Sequence, residues 1–244
     1  MVLPMPDPLP VDQRAELALA NRILFREAVV DGYGHVSVRD ARDPNRFLQS
    51  RSLAPAYVDA NDIIVHDLAG NRVEGDGELS LERFIHGAIY EARPDVNAIV
   101  HGHSQPVVLF SVLDVPLQPL WHVSGFLGAG VARFDSKLVW GDSDLLISDI
   151  TKGRALAQAL GDKPLVLLRG HGSACVGPTL HEAVYRAIYT DANAKLQAQA
   201  MLLGSITFLS PGEAEQSAAM SARPKVLSRP WNLWQRSVEE NTPC

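Results

Sequence analysis

Apolar and polar residues alternate along this chain with two different periods, which predict helices and strands in mixed order. From Asp12 to Val30 the apolar residues recur at steps of three and four, which predicts a helix capped by Asp12. Gly32 and Gly34 are expected to end it. His35 to Arg39 alternates like a strand, and Arg46 to Ser50 is its predicted hairpin partner.

The rest of the chain continues this mixture. Strands are predicted at 63–68, 97–100 and 165–168, and helices at 81–93 with Ser80 as cap, at 105–113, within 144–160 and at 179–203. In the last of these, Thr179 and Glu182 have the spacing of a capping box, and Gly204 follows the helix. From Pro211 the pattern predicts a solvated segment that carries an apolar patch at 230–234.

The order of these elements predicts a single α/β domain, an α/β/α sandwich with a central, mostly antiparallel sheet. We divide the chain into an N-terminal arm at 1–11, which holds four prolines, a main domain at 12–210 and a C-terminal extension at 211–244. Neither an internal repeat nor a low-complexity linker interrupts the main domain.

Composition narrows the class of protein. The net charge of -6 gives no reason to expect a nucleic acid or an anionic membrane as partner. No apolar run approaches the roughly 18 residues of a membrane span. The first residues lack the basic and apolar regions of a secretory signal, and the cysteines, Cys175 and Cys244, are too few for a disulfide framework. A reducing, cytoplasmic setting is therefore expected.

Histidines stand where predicted strands end. His101 and His103 follow the apolar run 96–100, and two residues apart on a strand they point to the same face. His171 follows the run 165–168, and the glycines on both sides of it allow close backbone approach. Each histidine alone fits a surface or hydrogen-bonded role, but together they favour a divalent metal with positions left open for substrate.

Other polar residues leave two interpretations open. Glu82 is either a charge favoured by the helix dipole or a carboxylate that binds metal or carries a proton. His122 is either a fourth histidine of the site or a partly buried loop residue. For His66, His86 and His181 a surface or capping role is sufficient.

Three motifs together resemble the class II aldolase/adducin family over residues 12 to 205. They are the segment from Ser80 through Glu82 to His86 (SLERFIH), the segment from Arg93 to His103 (RPDVNAIVHGH), and His171 with Gly172. The resemblance implies a class II aldolase-like α/β/α fold and a homotetramer of C4 type with sites near subunit interfaces.

The same resemblance implies roles for residues. In that family the H-x-H histidines and the later histidine bind a divalent metal, which assigns this role to His101, His103 and His171. The family's acid/base glutamate corresponds to Glu82. Three imidazoles suit zinc, our first choice, and also manganese, cobalt or iron.

The chain departs from the sugar-phosphate aldolases where those enzymes hold phosphate. They carry G-N-V-S-x-R where this chain has His35 after Gly34, T-P-T-G where it has the segment 50–55, and S-S-E where it has 80–82. A phosphate site needs small hydroxyls and free backbone N–H groups, so these changes argue against a phosphorylated sugar.

The segments 35–52 (HVSVRDARDPNRFLQSRS), 82–104 (ERFIHGAIYEARPDVNAIVHGHS) and 121–128 (WHVSGFLG) are similar to a decarboxylase branch of the family that acts on aromatic ortho-hydroxycarboxylates. Those decarboxylases act on 3,4-dihydroxyphthalate or on a hydroxymethylpyridine dicarboxylate. The expected reaction is therefore the metal-dependent decarboxylation of a small aromatic ortho-hydroxy (di)carboxylate, with 3,4-dihydroxyphthalate giving protocatechuate as first choice. A divalent metal would stabilise the charge of the enolate or phenolate formed when CO2 leaves.

In this hypothesis Glu82 and His122 are the catalytic residues. The substrate would be held by His35, Arg39, Arg51, Ser52 and Phe126, since arginine can grip a second carboxylate with two hydrogen bonds. The alternatives are a solvated strand charge for each arginine and a core position for Phe126.

Three other functions are alternatives to this hypothesis. A metal-dependent aldolase or epimerase acting on a sugar or hydroxy acid is the runner-up. A non-enzymatic scaffold of the adducin type should lack the three histidines that this chain has. A globular protein with unlinked histidines leaves the three-part motif unexplained.

Overall fold

A computed structural model gives the fold, and it describes residues 12–240. The predicted arm at 1–11 and Cys244 lie outside the described residues. Eight strands form one sheet: β1 (His35–Arg39), β2 (Arg46–Ser50), β3 (Ile63–Asp67), β4 (Arg72–Glu74), β5 (Ala98–Gly102), β6 (Ala132–Phe134), β7 (Leu165–Leu168) and β8 (Gly172–Gly177).

The strand order across the sheet is β4-β3-β2-β1-β5-β8-β7-β6. Every neighbouring pair is antiparallel except β6 and β7, which are parallel. The prediction of an α/β fold with a mostly antiparallel sheet is confirmed.

Helices cover both faces of this sheet. They are α1 (Gln13–Arg26), α2 (Arg83–Ala92), α3 (Gln105–Val112), α4 (Ser136–Trp140), α5 (Ile150–Leu160), α6 (Leu180–Leu203), α7 (Pro211–Ser221) and α8 (Pro224–Glu239). Short 3-10 turns occur at Pro55–Tyr57 and Ala60–Asp62, and a longer one at His122–Ala129. Within residues 12–240, no helix combines the length and apolar character that a membrane crossing requires.

Alternation along the strands separates two cores. On one face, Val36, Val100 and Leu167 pack with residues of α1, α3, α6 and α8. On the other, Ile99 and Val166 pack with residues of α2 and α5. We call these the α6 face and the α2 face. His101, two residues after Ile99 in β5, therefore lies on the α2 face.

Several predicted helix ends were wrong. α1 is capped by Asp12 as predicted but ends at Arg26, because Ala28 has a left-handed φ of 56° that turns the buried Val29 and Val30 toward the core. Ser80 is not the cap of α2; Glu82 occupies that position and makes no side-chain cap hydrogen bond.

The predicted capping box of α6 is half formed. The Thr179 side chain accepts a hydrogen bond from the Glu182 amide, as predicted. The Glu182 carboxylate instead pairs with Arg186 at 2.6 Å, one turn further along the helix. An i,i+4 ion pair has replaced the second half of the box.

The pattern of apolar residues missed several short elements, namely β4, β6, α4 and β8. Of these β8 is central: its six residues, GSACVG, are all buried. Small residues and glycine give little strand signal, although burial on both faces of the sheet makes the strand stable.

The tail beyond Pro211 differs from the expected solvated segment. α7 begins with a capping box between Ser210 and Glu213, and α8 buries Leu227, Trp231 and Trp234 against the α6 face. The spacing 227, 231, 234 is helical, so the sequence held a signal that we read only as an apolar patch.

The β7–β8 hairpin shapes the end of the sheet that carries the candidate functional residues. Leu168 pairs with Gly172, which leaves a three-residue loop in which Gly170 has a φ of 66°. A Cβ on Gly172 would lie 2.3 Å from the carbonyl oxygen of Gly102 and 3.0 Å from the His103 ring. Glycine is required here because β8 approaches β5 closely, beside the histidines that end β5 and precede β8.

Candidate metal centre and substrate pocket

Four side chains converge at the end of β5 on the α2 face: Glu82, His101, His103 and His171. His101 is still within β5, and His103 follows its last residue. His171 comes from the β7–β8 loop, and Glu82 is the residue before α2. Antiparallel pairing of β5 with β8 thus joins residues about seventy positions apart.

The ring of His101 is held by its neighbour strand. Its Nδ1 lies 3.0 Å from the carbonyl oxygen of Ser173 in β8 and donates its proton to it. That bond fixes the tautomer, so Nε2 faces the cluster with its lone pair free. Glu82 is oriented similarly, since its Oε1 accepts a hydrogen bond of 2.9 Å from the backbone amide of Ile147.

The distances between these atoms fit a metal ion. Glu82 Oε2 lies 3.5 Å from His101 Nε2 and 3.4 Å from His171 Nε2, and the Nε2 atoms of His101 and His103 are 3.1 Å apart. One ligand atom from each of the four residues can be chosen so that all lie within 4.8 Å of one another. Ligands about 2.1 Å from a tetrahedral ion are separated by about 3.4 Å, so the donor set fits a divalent metal.

Protonation states agree with this fit. Burial, followed by the charge of neighbouring histidines, lowers the pKa of His103 to about 4, so its ring is neutral and able to bind metal. Burial alone would raise the pKa of the Glu82 carboxyl, but its polar contacts with His101 and His171 hold this pKa well below its usual range. The cluster therefore offers the neutral imidazole of His103 and one carboxylate beside the rings of His101 and His171.

A pocket of about 500 Å³ opens beside the cluster. Glu82, His103 and His171 line it together with His35, and the chain around Leu145 closes another side. A smaller lobe of about 200 Å³ continues from it. The two lobes share Tyr33, Gly34, His35, Ser52 and Ser80.

The structure brings three of the predicted substrate residues to this pocket. His35 and Ser52 line both lobes, and Arg51 lines the smaller one. His35 pairs with His101 across β1 and β5, and their ring centroids are 5.1 Å apart. The Arg51 Nε donates a 2.6 Å hydrogen bond to Asp62. A metal site, an imidazole and a guanidinium thus follow one another across three adjacent strands.

Arg39 is not brought to the pocket. Its guanidinium donates to backbone carbonyl oxygens of four residues at 2.6–3.1 Å, those of Pro44, Tyr90, Arg93 and Val96. All three of its nitrogens are used in these bonds. The prediction of a substrate contact is corrected: Arg39 ties β1 to the end of α2 because four carbonyls converge there.

Phe126 and His122 also lie elsewhere in the single chain. Phe126 is buried in the core of the α6 face and lines a cavity at the opposite end of β5, beside Val96 and Gly177. Since β5 runs about 13 Å from end to end, Phe126 is too far to touch a ligand at the metal cluster. His122 is exposed at the start of its 3-10 turn, and the pocket lining does not include it.

A second polar group lies behind His35 and was not predicted from the sequence. His86 was assigned a surface or capping role, but it is fully buried on α2 and lies 2.6 Å from His35. Ser37 and Tyr90 extend the contact deeper between the sheet and α2. His86 shares its helix face with Ile85, Ile89 and Tyr90, so its burial could have been read from helical spacing.

Comparison with known proteins finds one family match and two similar decarboxylases. A family model described as Class II Aldolase and Adducin N-terminal domain matches residues 15–198. Decarboxylase tropJ of Talaromyces stipitatus is 37% identical over 244 residues, covering 89% of this chain and 90% of that protein. The 3,4-dihydroxyphthalate decarboxylase of Arthrobacter keyseri is 31% identical over 201 residues, covering 78% of this chain and 79% of that protein.

A solved structure supports the fold. An aldolase II superfamily protein from Pseudomonas syringae superposes with a TM-score of 0.81 and covers 97% of each chain. At 24% identity this match concerns the fold alone.

Proposed function

Because this chain belongs to the class II aldolase and adducin family, we propose that it is a divalent-metal-dependent decarboxylase of a small aromatic ortho-hydroxy (di)carboxylate. The leading substrate is 3,4-dihydroxyphthalate, with protocatechuate as product. The family resemblance stated from the motifs, including its decarboxylase branch, is confirmed. The chain is accordingly a carbon–carbon lyase.

One observation carries this proposal: a cluster of three imidazoles and a carboxylate opens onto a pocket that ends at an arginine. A divalent ion bound there would stabilise negative charge developing on a substrate oxygen. His101, His103 and His171 are the proposed ligands, because His101 Nε2 is left free by the bond of Nδ1 to Ser173, the His103 ring is neutral, and His171 Nε2 lies in the same cluster. Zinc is our first choice because imidazole suits it, and manganese, cobalt and iron are the alternatives.

Glu82 is the proposed proton carrier. Its carboxylate is ionised, buried and held by the Ile147 amide beside the cluster. It can accept the proton of the ortho-hydroxyl and return it to the ring carbon that bears the departing carboxylate. The carbon–carbon bond then breaks, its electron pair enters the ring, and the oxygen that lost the proton keeps the charge. Proton and charge balance without another reactant.

The smaller lobe fits the carboxylate that stays on the product. Arg51 and Ser52 line this lobe, and His35 stands between it and the metal cluster. A guanidinium can bind a carboxylate through two N–H groups, although the Asp62 ion pair already occupies Arg51 Nε. This arrangement favours a diacid over a monoacid.

A CO2-release assay tests the proposal. The purified protein, stripped of metal and reloaded with zinc, manganese, cobalt or iron, would be incubated with 3,4-dihydroxyphthalate and related ortho-hydroxy acids. We expect release that depends on metal and is fastest with the diacid. Absence of release across the panel would contradict the proposal, and formation of dihydroxyacetone phosphate or lactaldehyde from sugar phosphates would favour an aldolase.

Two further expectations belong to the same proposal. A homotetramer and a cytoplasmic setting accompany the function as we infer it, and they are testable separately. Light scattering on the purified protein gives the mass of the assembly, and fractionation of its cells gives its compartment.

A further inference from the structure

Behind the substrate pocket, four side chains form one continuous row of hydrogen bonds. His35 Nδ1 lies 2.6 Å from His86 Nε2, His86 Nδ1 lies 2.6 Å from Ser37 Oγ, and Ser37 Oγ lies 2.8 Å from the Tyr90 hydroxyl. Ser37 and His86 are 0% exposed and Tyr90 is 1% exposed. We call these residues the His35 chain. Only His35 reaches the pocket.

The protons of the His35 chain can be arranged in two directions. In the first, Tyr90 donates to Ser37, Ser37 to His86 and His86 to His35, which leaves a proton on His35 Nε2. In the second every bond is reversed, and His35 Nε2 is left with a lone pair. Both rings are neutral in either arrangement, since each carries one proton.

The Tyr90 end of the His35 chain distinguishes the two directions. In the second, the Tyr90 hydroxyl proton would need another acceptor, and among residues 12–240 the hydroxyl contacts only Ser37. In the first, every N–H and O–H of the chain has an acceptor or faces the pocket. A buried donor without an acceptor costs about 1–3 kcal/mol, so the first direction should be favoured by roughly five- to 150-fold.

We propose that Ser37 and His86 are positioning residues that hold His35 in the tautomer with a proton on Nε2, and that this N–H selects a substrate with a carboxylate oxygen next to its metal-bound group. The geometry supports the choice of ligand. His35 lies between His101 of the cluster and the lobe lined by Arg51. An N–H at this place binds an oxygen acceptor and disfavours a hydroxyl proton or an apolar substituent.

The substrate part of this inference rests on the proposed decarboxylation, whereas the tautomer does not. In 3,4-dihydroxyphthalate the carboxylate that remains is adjacent to the one that leaves. It would therefore approach His35 when the departing carboxylate and its ortho-hydroxyl face the metal. A monoacid such as 2,3-dihydroxybenzoate lacks this group.

Nitrogen-15 NMR of the histidine rings tests the tautomer without turnover. The zinc-loaded protein, labelled in histidine, would be compared with a His35→Gln variant, which identifies the His35 signals by their loss. We expect Nε2 to carry the proton in the unliganded protein. A proton on Nδ1 would overturn the proposal.

Two hydroxyl deletions form a matched pair. Ser37→Ala breaks the link to His86, so both tautomers of His35 should be populated within about threefold of each other. Tyr90→Phe also removes one buried hydroxyl, but Ser37 can still donate to His86, so the Nε2 tautomer should persist. If Ser37→Ala and Tyr90→Phe gave the same populations of the two His35 tautomers, the proposed role of the His35 chain would be contradicted, whichever ring nitrogen carries the proton.

Kinetics then separate positioning from a general structural role. With Ser37→Ala we expect KM for the diacid to rise about threefold to tenfold, kcat to stay within about twofold, and the preference for diacid over monoacid to fall. Zinc content should be unchanged. Should no substrate turn over, the proposed function fails while the NMR result stands; a normal preference in Ser37→Ala with active enzyme would overturn the inference alone.

Discussion

The α6 face and the α2 face of the sheet bury side chains of opposite character. Toward α6, the strands contribute apolar residues such as Val36, Val100 and Leu167. Toward α2, the same strands carry His35, Ser37 and other polar groups among the apolar ones. Since hydrophobic burial is the dominant favourable contribution to folding, the larger apolar core on the α6 face contributes more of the stability, while the α2 face combines a smaller apolar core with the candidate site.

Polar burial on the α2 face is not fully compensated. Within residues 12–240, both side-chain polar atoms of Gln49 are buried without a hydrogen-bond partner. Burial lowers the pKa of His66 to about 4, which keeps its ring uncharged. A sheet can tolerate such groups on one face because the other face supplies the stability that they remove.

The largest effect is expected at the metal cluster. His103→Ala removes one of three imidazole ligands, so bound zinc and activity should be lost together, with activity falling roughly a thousandfold. Metal analysis and the CO2-release assay measure both. The free energy of unfolding of the metal-free protein should change little, because His103 is only partly buried. Full metal content with normal turnover would rule out the ligand assignment.

The next effect concerns the α6 face. Trp231 of α8 is 4% exposed and stacks on His181, with ring centroids 3.8 Å apart. Trp231→Ala should lower the free energy of unfolding by about 3 kcal/mol through the cavity it leaves. Denaturant unfolding measures this. Leu233→Ala, on the same helix but 64% exposed, is the matched control and should change stability by less than about 0.5 kcal/mol.

Zinc content should be unchanged in both α8 variants. A loss of metal in Trp231→Ala while the protein remains folded would mean that the two faces are coupled, and the comparison would then need revision.

Glu82→Gln separates binding from proton transfer on the α2 face. As a proton carrier, Glu82 should contribute about a hundredfold to kcat, while the three histidines keep the metal. The measurement is kcat together with metal content. If zinc is lost with activity, Glu82 acts mainly as a ligand, and the proton must be carried by another group.

The smallest effect is expected in β2, where two neighbouring residues face opposite sides of the sheet. Gln49→Leu replaces a buried amide without partner by an apolar side chain of similar size, and should leave stability unchanged or raise it by up to about 1 kcal/mol. The neighbouring Leu48 faces the other core, so Leu48→Gln should cost about 3 kcal/mol or more. Similar losses in both variants would mean that Gln49 is satisfied after all.

Strong periodic patterns were predicted well, and weak ones were not. β1, β2 and β7 have the predicted bounds because their residues are β-branched, aromatic or apolar in a clear pattern. β8, with GSACVG, was missed because small residues follow neither pattern. The helices of the tail were missed because the tryptophans were read as a patch.

Some residues of the candidate site could likewise be predicted from the sequence, and others could not. His101, His103 and His171 could be selected from spacing and from the ends of apolar runs, and the structure brings them together with Glu82. Arg39 could not be separated from Arg51 by sequence, since both are arginines near strand ends. Only the structure places the guanidinium of Arg39 among backbone carbonyls.

The fold class, the family and the histidines that could hold a metal can be predicted from the amino-acid sequence, because periodicity and local motifs encode these directly. Which polar residues meet depends on how the elements pack. The pairing of β1 with β5 sets His35 beside His101, and the packing of α2 on the sheet buries His86 behind it. Such contacts join residues more than fifty positions apart, and their distance depends on strand register and helix packing, which no local pattern specifies.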